Sequence, residues 1–515
     1  MSDTNRVGIA IARSGGSAFP SALTDLTKLR ITGTPNLAFN PLTEVSNELR
    51  DDRQNSDLIP IGAEAGGDVG IEWSYSVADD LLESALLGTW DDTHSATPDA
   101  GAMGAGTIPF AATAGFVVDQ IVKLIEPSAS PAGESLKSGL YIVDTVTLNT
   151  SIAVTPLGIN SYDADYADAT AISASFSSDA GTIVKVVGLA AVTSDIAFTA
   201  TGITSAAGYF DDGLRKAAGV TDLAPGHFIR ILGSDAAVAA TNDVFVEITT
   251  VSVAGAGLIL DVPSNWQTDP GTGDAVLIFF ADVLANPSSP VALSARQFSV
   301  ERSFNDHSPI SRELFLQMGV NTLSMDLAPQ SIATGTIGFF GTQARARNDS
   351  LITELYSGGL PTYAAAPAFD VYNTSSNIAR LARGGNKVGV GGVNCVLNAS
   401  VEINNNMRRQ NAVGVFGACG IGLGEFGVSG SLETYFDDLS LYQDVLNGNS
   451  TSLDFVMRGN DGRTLLTHVP RIKFTQGAPQ VPGKNADVVL PLAYQGLLDP
   501  SLGYTLAYQR FTFAA

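Results

Sequence analysis

The stretch Val69-Gly-Ile-Glu-Trp-Ser-Tyr75, followed by Asp79-Asp-Leu-Leu-Glu-Ser-Ala-Leu-Leu87, decides the fold because its pattern returns later in the chain. The later copy is Phe426–Tyr435 followed by Asp437–Leu446. In each copy the first segment predicts a strand. The second segment begins with two acids, carries apolar residues at i, i+3 and i+4 and is followed by glycine, which predicts a short helix. The sequence therefore predicts an internal duplication.

The duplication extends further along the chain. Val320–Pro329 and then Gly335–Phe340 correspond to Val469–Pro479 and then Asp487–Tyr494. About twenty residues join the helix to this strand pair in the second copy, but roughly two hundred do so in the first. Because loop-closure entropy grows slowly with length, a loop can accept such an addition. We interpret residues 91–292 as an insertion, whose strands also repeat in the same order.

Most remaining segments have the composition of strands, bounded by Gly, Pro, Asn and Asp. A third helix is predicted at Ser311–Met318. The fold class is thus all-β with a few short helices: two duplicated β-sandwich or barrel domains plus inserted small β-barrel modules. The expected divisions are an N-terminal arm over 1–25, a discontinuous first domain over 26–90 and 293–365, inserted modules over 91–200 and 201–292, and a second domain over 366–515.

Composition excludes several classes of protein. The 515 residues include 28 Lys and Arg against 52 Asp and Glu, a formal net charge of −24, with 45% hydrophobic residues. Low charge density with high hydrophobicity argues against disorder, and the acidic balance argues against tight binding of nucleic acid. No apolar run approaches the roughly 18 residues of a membrane span, and Val7–Ala12 is too short for a secretory signal. Cys395 and Cys419 are too few for a disulfide framework.

The sequence offers little catalytic chemistry. The histidines are scattered along the chain, at His94, His227, His307 and His468. None has a ligand-like neighbour at i+2 to i+4, so we predict isolated surface or turn histidines rather than a metal site. The glycine-rich stretch 422–427 matches a dinucleotide fingerprint as a string, but a predicted strand follows it where a helix is required. We therefore predict no enzymatic activity, no cofactor and no metal.

Several stretches together resemble the major tail tube protein of long-tailed, siphovirus-like bacteriophages. They are Thr43–Gln54, Ile71–Tyr75, Asp79–Trp90, Phe298–Phe304 and Met318–Gly341. With the C-terminal copy, the resemblance covers about 300 of the 515 residues. The chain therefore looks like a tail tube protein with two fused tube domains and an inserted decoration, and the insertion departs from the minimal family pattern.

The resemblance implies β-sandwich tube domains whose inner sheets join between subunits into a barrel around a lumen. Stacked rings then form a tube, made in the host cytoplasm and carried in the virion, that conducts DNA to the host. Most such tubes have six domains per ring, so two fused domains predict a trimeric, pseudo-hexameric ring. Tail terminator, tape-measure and distal tail proteins are the implied partners, with no membrane insertion. The net charge predicts an acidic or neutral lumen through which DNA passes without tight binding.

Two polar clusters with arginines recur in the duplication, and we expect them at one structural position, contacting other subunits or rings. The candidate assembly contacts are Arg50, Arg53, Gln54, Asn55, Arg408, Arg409, Gln410 and Asn411. A solvated loop inherited by both copies is the alternative. We expect the N-terminal arm to be disordered or to fold onto a neighbour, and the inserted modules to decorate the outside of the tube.

A secreted β-rich adhesin or carbohydrate-binding protein is the alternative function, which the inserted modules alone would allow. Such a protein needs a platform of clustered aromatic residues. The available tryptophans are Trp73, Trp90 and Trp266.

Overall fold

The structure is a computed structural model. It describes residues 6–513 except 14–17, 34, 50, 52–53, 100, 104–105, 111–114, 126–138, 149, 162–176, 179–181, 192–195, 206–209, 211–213, 217–222, 234–238, 253–255, 269–275 and 388–394. Strands dominate these residues, and the helices are short. The predicted fold class, all-β with a few short helices, is confirmed.

The elements fall into three parts along the chain. Before the insertion they are β1 (Val7–Arg13), β2 (Asp25–Lys28), β3 (Ala38–Val45), β4 (Leu58–Glu72) and α1 (Asp79–Leu86). Within it they are β5 (Ser95–Ala96), β6 (Gly101–Ala102), β7 (Thr107–Pro109), β8 (Gln120–Ile125), β9 (Leu140–Thr147), β10 (Ser151–Pro156), β11 (Ser177–Ser178), β12 (Ile183–Ala191), β13 (Ile196–Thr199), β14 (Gly202–Ser205), β15 (Phe228–Leu232), α2 (Ala239–Asn242), β16 (Phe245–Val251), β17 (Gly257–Leu260), β18 (Val276–Phe280) and β19 (Asp282–Ala285). After it they are β20 (Phe298–Phe304), β21 (Ser311–Leu327), β22 (Thr334–Gly341), β23 (Gln343–Asn348), β24 (Thr362–Ala364), β25 (Ile378–Arg383), β26 (Asn386–Lys387), β27 (Val396–Asn404), β28 (Arg408–Gln410), β29 (Gly420–Gly422), β30 (Gly427–Tyr435), α3 (Ser440–Asn447), β31 (Ser450–Arg458), β32 (Thr464–Gly477), β33 (Val489–Gly496) and β34 (Ala507–Phe511).

The same order of strand pairing occurs twice. In the first repeat, β4 pairs with β22, β22 with β21, and β21 with β20, all antiparallel. In the second repeat, β30 pairs with β33, β33 with β32, and β32 with β31. Each repeat adds an outer strand on either side, β1 and β23 in the first and β25 and β34 in the second. The helices α1 and α3 stand at the same place in this order, close to their predicted positions.

One hydrophobic core runs through both repeats. Val69 and Ile71 of β4, like Val428 and Leu432 of β30, are at most 1% exposed within it. Because side chains alternate across a strand, the residues between them lie on the opposite face of the sheet. That second face is polar and is described below.

The helix expected at Ser311–Met318 is wrong, since these residues begin the long strand β21. Phe315 faces the main core, whereas Leu314 and Leu316 face a smaller cluster under β1 and β2. A strand covered on both faces carries a continuous apolar run, and the periodicity of so short a run does not separate strand from helix.

The expected N-terminal arm is also partly wrong. Val7–Arg13 forms β1 and pairs along its whole length with β20 of the same chain. Ile9 and Ile11 are buried in the main core. This segment therefore belongs to the sheet of the first repeat, because its alternating isoleucines give it a buried face. Residues 1–5 and 14–17 of the expected arm lie outside the described residues.

Most strands of the inserted region, residues 91–292, form one continuous sheet rather than two separate modules; β6 and β11 pair only with each other, and β19 pairs with β34. The strand order of the sheet is β13-β14-β17-β16-β15-β18-β12-β8-β9-β10-β7. The path β12-β8-β9-β10 has the same order as β18-β15-β16-β17, and β12 pairs with β18 in the middle. Both sets share one core. Pairing the edge strand β12 with the edge strand β18 leaves fewer strand edges open. The expected module boundary at 200/201 falls inside the β13–β14 hairpin.

Candidate assembly interface

A strand pairing joins the two repeats, and we call it the seam. The C-terminal half of β21 pairs with β27, from Thr322 opposite Asn404 to Leu327 opposite Ala399. β27 pairs in turn with β30. The sheet of the first repeat therefore continues without a break into the second, edge to edge.

The turn at Asn405–Met407 of the second repeat forms hydrogen bonds with α1 and with β21. Asn405 is 2% exposed, and its Nδ2 donates to Ala85 O and to Val320 O, each at 2.9 Å. Its backbone N–H donates to Asn321 O at 2.8 Å, and the N–H of Met407 donates to Asn321 Oδ1 at 2.8 Å. Each repeat therefore meets the other through a strand edge and through buried hydrogen bonds, which are costly to leave unmade.

The predicted contact residue Arg409 lies on this interface within the chain. Its Nη1 is 3.3 Å from Glu64 Oε1, and its Nη2 donates to Ala65 O at 2.9 Å. Its guanidinium carbon lies 3.9 Å from the centroid of the Phe340 ring, in a cation–π arrangement. With only 18% of its side chain exposed, Arg409 joins the second repeat to the first.

The neighbours of Arg409 lie in the short hairpin β28–β29. Arg408 is exposed and its Nη2 donates to Leu423 O at 3.2 Å. The carbonyl of Gln410 accepts the N–H of Cys419 at 2.8 Å. Asn411 is exposed at the start of the following turn. These residues form part of the second arm, which we define as residues 405–426.

The first arm, residues 38–66, is a longer hairpin of β3 and the first part of β4. Gln54 and Asn55 lie exposed in the tip beyond the last pair of β3 and β4, whereas Arg50 and Arg53 lie outside the described residues. Gln54 thus lies beyond the last strand pair of its hairpin, whereas Gln410 stands in the last pair of the shorter hairpin, opposite Gly420. The exposed apolar residues of the first arm, from 41% to 100% exposed, are Leu42, Val45, Leu49, Leu58, Ile59 and Ile61.

Among the described residues, two strand edges like those of the seam have no partner. β32, the counterpart of β21, pairs with β31 only as far as Lys473, so residues 474–477 pair on the β33 side alone. Residues 30–33 and 35–37, the counterpart of β27, lie along β4, where Thr32 bridges Gly70 and the N–H of Asn36 donates to Asp68 O. Among the described residues no strand pairs with the far side of that segment, where Pro35 O accepts from Arg302 Nη1 at 3.3 Å. Open edges of this kind are templates for a further chain.

The face of the sheet opposite the core is polar across the seam. One row of facing residues runs Ser324, Glu402, Ser429, Gln495 and Lys473. The acidic residues of this face are Asp68, Glu72, Asp326, Glu402 and Glu433, and its basic residues are Arg471 and Lys473. Carboxylates therefore predominate on it, and both basic residues lie on β32.

The inserted region packs on the second repeat. Phe228 and Phe279 of the insertion share a buried cluster with Leu466 and Phe511 of β32 and β34. β19 at the end of the insertion pairs with β34. The corresponding face of β21 in the first repeat is instead covered by β2 and by residues 352–356. The main apolar contact of the insertion is thus with the second repeat, while Leu284 of β19 also lies in the main core beside α1 of the first repeat.

Arg380 of β25 forms hydrogen bonds that link the insertion to the second repeat. Its Nε donates to Asp454 Oδ2 at 2.8 Å, its Nη2 donates to Gly385 O at 3.2 Å, and its Nη1 donates to Phe245 O in the insertion. The side chains of Arg380 and Asp454 are 9% and 2% exposed. Burial raises the pKa of Asp454, and the Arg380 guanidinium opposes that rise. This pair is a fully desolvated link between insertion and repeat.

A second buried pair lies close by. Glu247 Oε2 of the insertion is 3.6 Å from His468 Nε2 of β32, and Tyr504 Oη is 3.3 Å from His468 Nδ1. Burial raises the pKa of Glu247 to about 8, with Asp454 and Asp261 adding repulsion, and burial lowers the pKa of His468 to about 3. The expectation of isolated surface or turn histidines is wrong for His468, whose only sequence signal is the apolar run around it.

Glu247→Gln is expected to change how stability depends on pH. In the wild type the pKa of Glu247 lies near 8 in the folded state and 4.5 unfolded, so its contribution is present below pH 4.5 and is lost as pH rises to 8. The free energy of unfolding of the variant, relative to that of the wild type, should therefore rise by about 1.4 kcal/mol per pH unit as the pH increases across that window. Urea unfolding from pH 5 to pH 8 measures it. Thr249→Val, an exposed neutral position on the same strand, should give a constant difference, and a constant difference for Glu247→Gln would contradict the argument.

The tryptophans do not form an aromatic platform. Trp73 and Trp90 are 1% and 9% exposed, and Trp266 is half-buried with its Nε1 donating to Thr199 O at 2.8 Å. Within the described ranges, no cluster of three or more His, Cys, Asp or Glu residues is arranged to hold a metal ion. In the same part of the chain, no helix has the length and apolar character needed to cross a membrane.

Comparison with known proteins gives one match. The family model described as phage tail tube protein matches residues 208–496, more than half of the chain. The matched residues include the seam and most of the second repeat. A search of curated proteins finds no match.

Proposed function

This chain belongs to the phage tail tube protein family and is a structural component of the phage virion, and from that premise we propose how it builds the tube. Two tube domains, one around each repeat, are fused in each chain. Three chains close a pseudo-hexameric ring, and rings stack into a tube whose lumen conducts DNA. The chain acts by assembly and needs no cofactor or catalytic step.

The observation that carries this proposal is the seam. β21 and β27 join the repeats within one chain, while their counterparts, residues 474–477 and residues 30–33 with 35–37, have no strand partner on one side among the described residues. Pairing of these two edges between chains would repeat the seam at the next position. A heterologous contact of this kind makes a ring when its rotation closes. Six positions, the number that the family resemblance implies, then require three chains.

The polar face of the joined sheet suits the wall of a DNA channel. The core and both helices occupy the other face, so a barrel closed by the seams would direct the polar face inward. Its carboxylates, together with the net charge of −24 per chain, would repel phosphates. DNA would then pass without tight binding.

The arms suit contacts between rings. The first arm exposes apolar residues, and Leu42 and Ile59 lie on the same face, because Ile59 is opposite Glu44, two residues after Leu42. Its tip residue Leu49 is fully exposed. Burial of such a patch is favourable, so we assign both arms, with the candidate assembly contacts named above except Arg409, to contacts between subunits or stacked rings. The inserted region, held on the second repeat, would decorate the outside.

The remaining partners follow from the same proposal. A tube assembled in the host cytoplasm would end on tail terminator and distal tail proteins and would enclose a tape-measure protein during assembly. These partners are proposed from the resemblance of the chain to major tail tube proteins of long-tailed phages.

Negative-stain and cryo-electron microscopy of the purified chain tests the proposal. Three chains of 53.4 kDa each, about 160 kDa in all, should form a ring with six inner lobes but three outer protrusions, because each chain has one insertion packed mainly on one repeat. Native mass spectrometry should give the same stoichiometry. Rings of six chains would overturn the trimer, and a protein that stays monomeric at every concentration would overturn the tube.

A further inference from the structure

The two equivalent helices differ in burial. Every residue of α1 from Leu81 to Leu86 is buried, whereas Leu441 and Asp444 are the buried residues of α3. Leu446 in the last turn of α3 is 66% exposed, and its cap residue Leu439 is 54% exposed. Exposed leucines at both ends of one short helix give α3 an apolar face without a partner.

Two parts of the chain cover α1. On one side Ser84 Oγ donates to Arg296 O at 3.1 Å, in the segment that follows the insertion. On the other side the Asn405 turn of the second repeat donates to Ala85 O. Ala85 corresponds to Leu446, because each stands two residues before the left-handed residue that ends its helix. In α3, no contact of the second kind occurs among the residues that the structure describes.

The first repeat contains the counterpart of the Asn405 turn. Asn36 donates its N–H to Asp68 O on β4 at 2.8 Å, in the place where Asn404 pairs with Gly427 on β30. Residues 36–39 therefore stand where residues 404–407 stand in the second repeat. Leu37, the counterpart of Asn405, is already buried in the main core, whereas Asn36 is exposed. In the described part of the chain, α1 is contacted by the Asn405 turn and not by residues 36–39.

We infer that the exposed face of α3 is a docking surface for residues 36–39 of a second copy of this chain. The inference rests on the proposed ring. In that ring, the segment before β3 of one chain pairs with the open end of β32 in the next, which brings residues 36–39 close to α3. α3 lies directly beside that end, because a Cβ on Gly477 would be 3.1 Å from Val445 Cγ2. Phe39, half-buried, and Leu42, 41% exposed, supply apolar surface on the arriving segment.

Leu446→Asp tests the docking surface. A carboxylate buried in this contact would be desolvated, so the fraction of chain in rings should fall at least tenfold at a concentration where the wild type assembles. Leu148→Asp is the matched control, since Leu148 is 74% exposed on the insertion, and it should assemble as the wild type does. Thermal unfolding of both variants as monomers should stay close to that of the wild type, since both positions are exposed. Normal assembly of Leu446→Asp would overturn the inference.

Cross-linking gives an independent measurement. Asn36→Cys with Leu446→Cys, in a chain with Cys395→Ser and Cys419→Ser, should yield cross-linked dimers and trimers with a short bismaleimide, and neither single cysteine should do so. Rings without these products would overturn the docking surface and leave the tube intact. Absence of rings in the wild type would instead overturn the proposed function itself.

Discussion

Thr475→Pro is expected to abolish rings and tubes while leaving the folded chain intact. Thr475 is exposed at the open end of β32, at the register shift between Phe474 and Gln476 opposite β33. Proline is tolerated at such bulges, but it cannot donate to a new strand and restricts the backbone that must receive one. Sedimentation velocity and electron microscopy should show monomers at concentrations where the wild type forms tubes, with circular dichroism unchanged.

The matched control is Thr475→Val. It removes the same side-chain hydrogen bond, from Thr475 Oγ1 to Ala493 O at 3.2 Å, but keeps the backbone N–H. Assembly of this variant should equal that of the wild type. Tubes of normal length from Thr475→Pro would show that this edge does not pair between chains and would refute the seam as the template for ring closure.

Arg380→Met is expected to cost about 3–5 kcal/mol of stability, because it leaves the buried Asp454 carboxylate without its counter-ion. It also leaves the Phe245 carbonyl of the insertion without its donor. Urea unfolding should show this loss.

Two further variants show whether the effect comes from the buried pair. Arg347→Met removes an exposed pair with Glu354, whose side chains are 35% and 44% exposed, and should cost only about 0–1 kcal/mol. Arg380→Met with Asp454→Leu should recover much of the loss, since an apolar pair needs no counter-ion. A loss for Arg380→Met no larger than that for Arg347→Met would mean that water solvates Asp454.

The two repeats keep one pairing order but cover corresponding faces differently. Leu314 and Leu316 of β21 are covered by β2 and by residues 352–356. Leu466 of β32 is covered instead by phenylalanines of the insertion. The divergence explains why the insertion packs mainly on the second repeat, since the corresponding apolar face of the first repeat is already covered by β2 and by residues 352–356.

The local pattern of apolar residues predicts the type of secondary structure correctly where only one face of an element is buried. The helix at Asp79–Leu86 was recognisable because its apolar spacing and first-turn acids both point to a helix. Prediction failed at Ser311–Met318, where burial on both faces removes the alternation of a strand. His468 and Glu247 could not be paired in advance, because more than two hundred residues separate them in sequence.

The sequence by itself was enough to establish the all-β class and to predict a duplication and an insertion, because repeats, turn residues and apolar spacing are written in contiguous residues. Only the tertiary structure decided that β21 pairs with β27, that the inserted strands form one sheet, and that Arg409 and Arg380 act within the chain. Strand edges carry the same backbone donors and acceptors whatever their side chains. Which edges meet is therefore set by how the whole chain packs, and the edges left open become visible only once the paired ones are known.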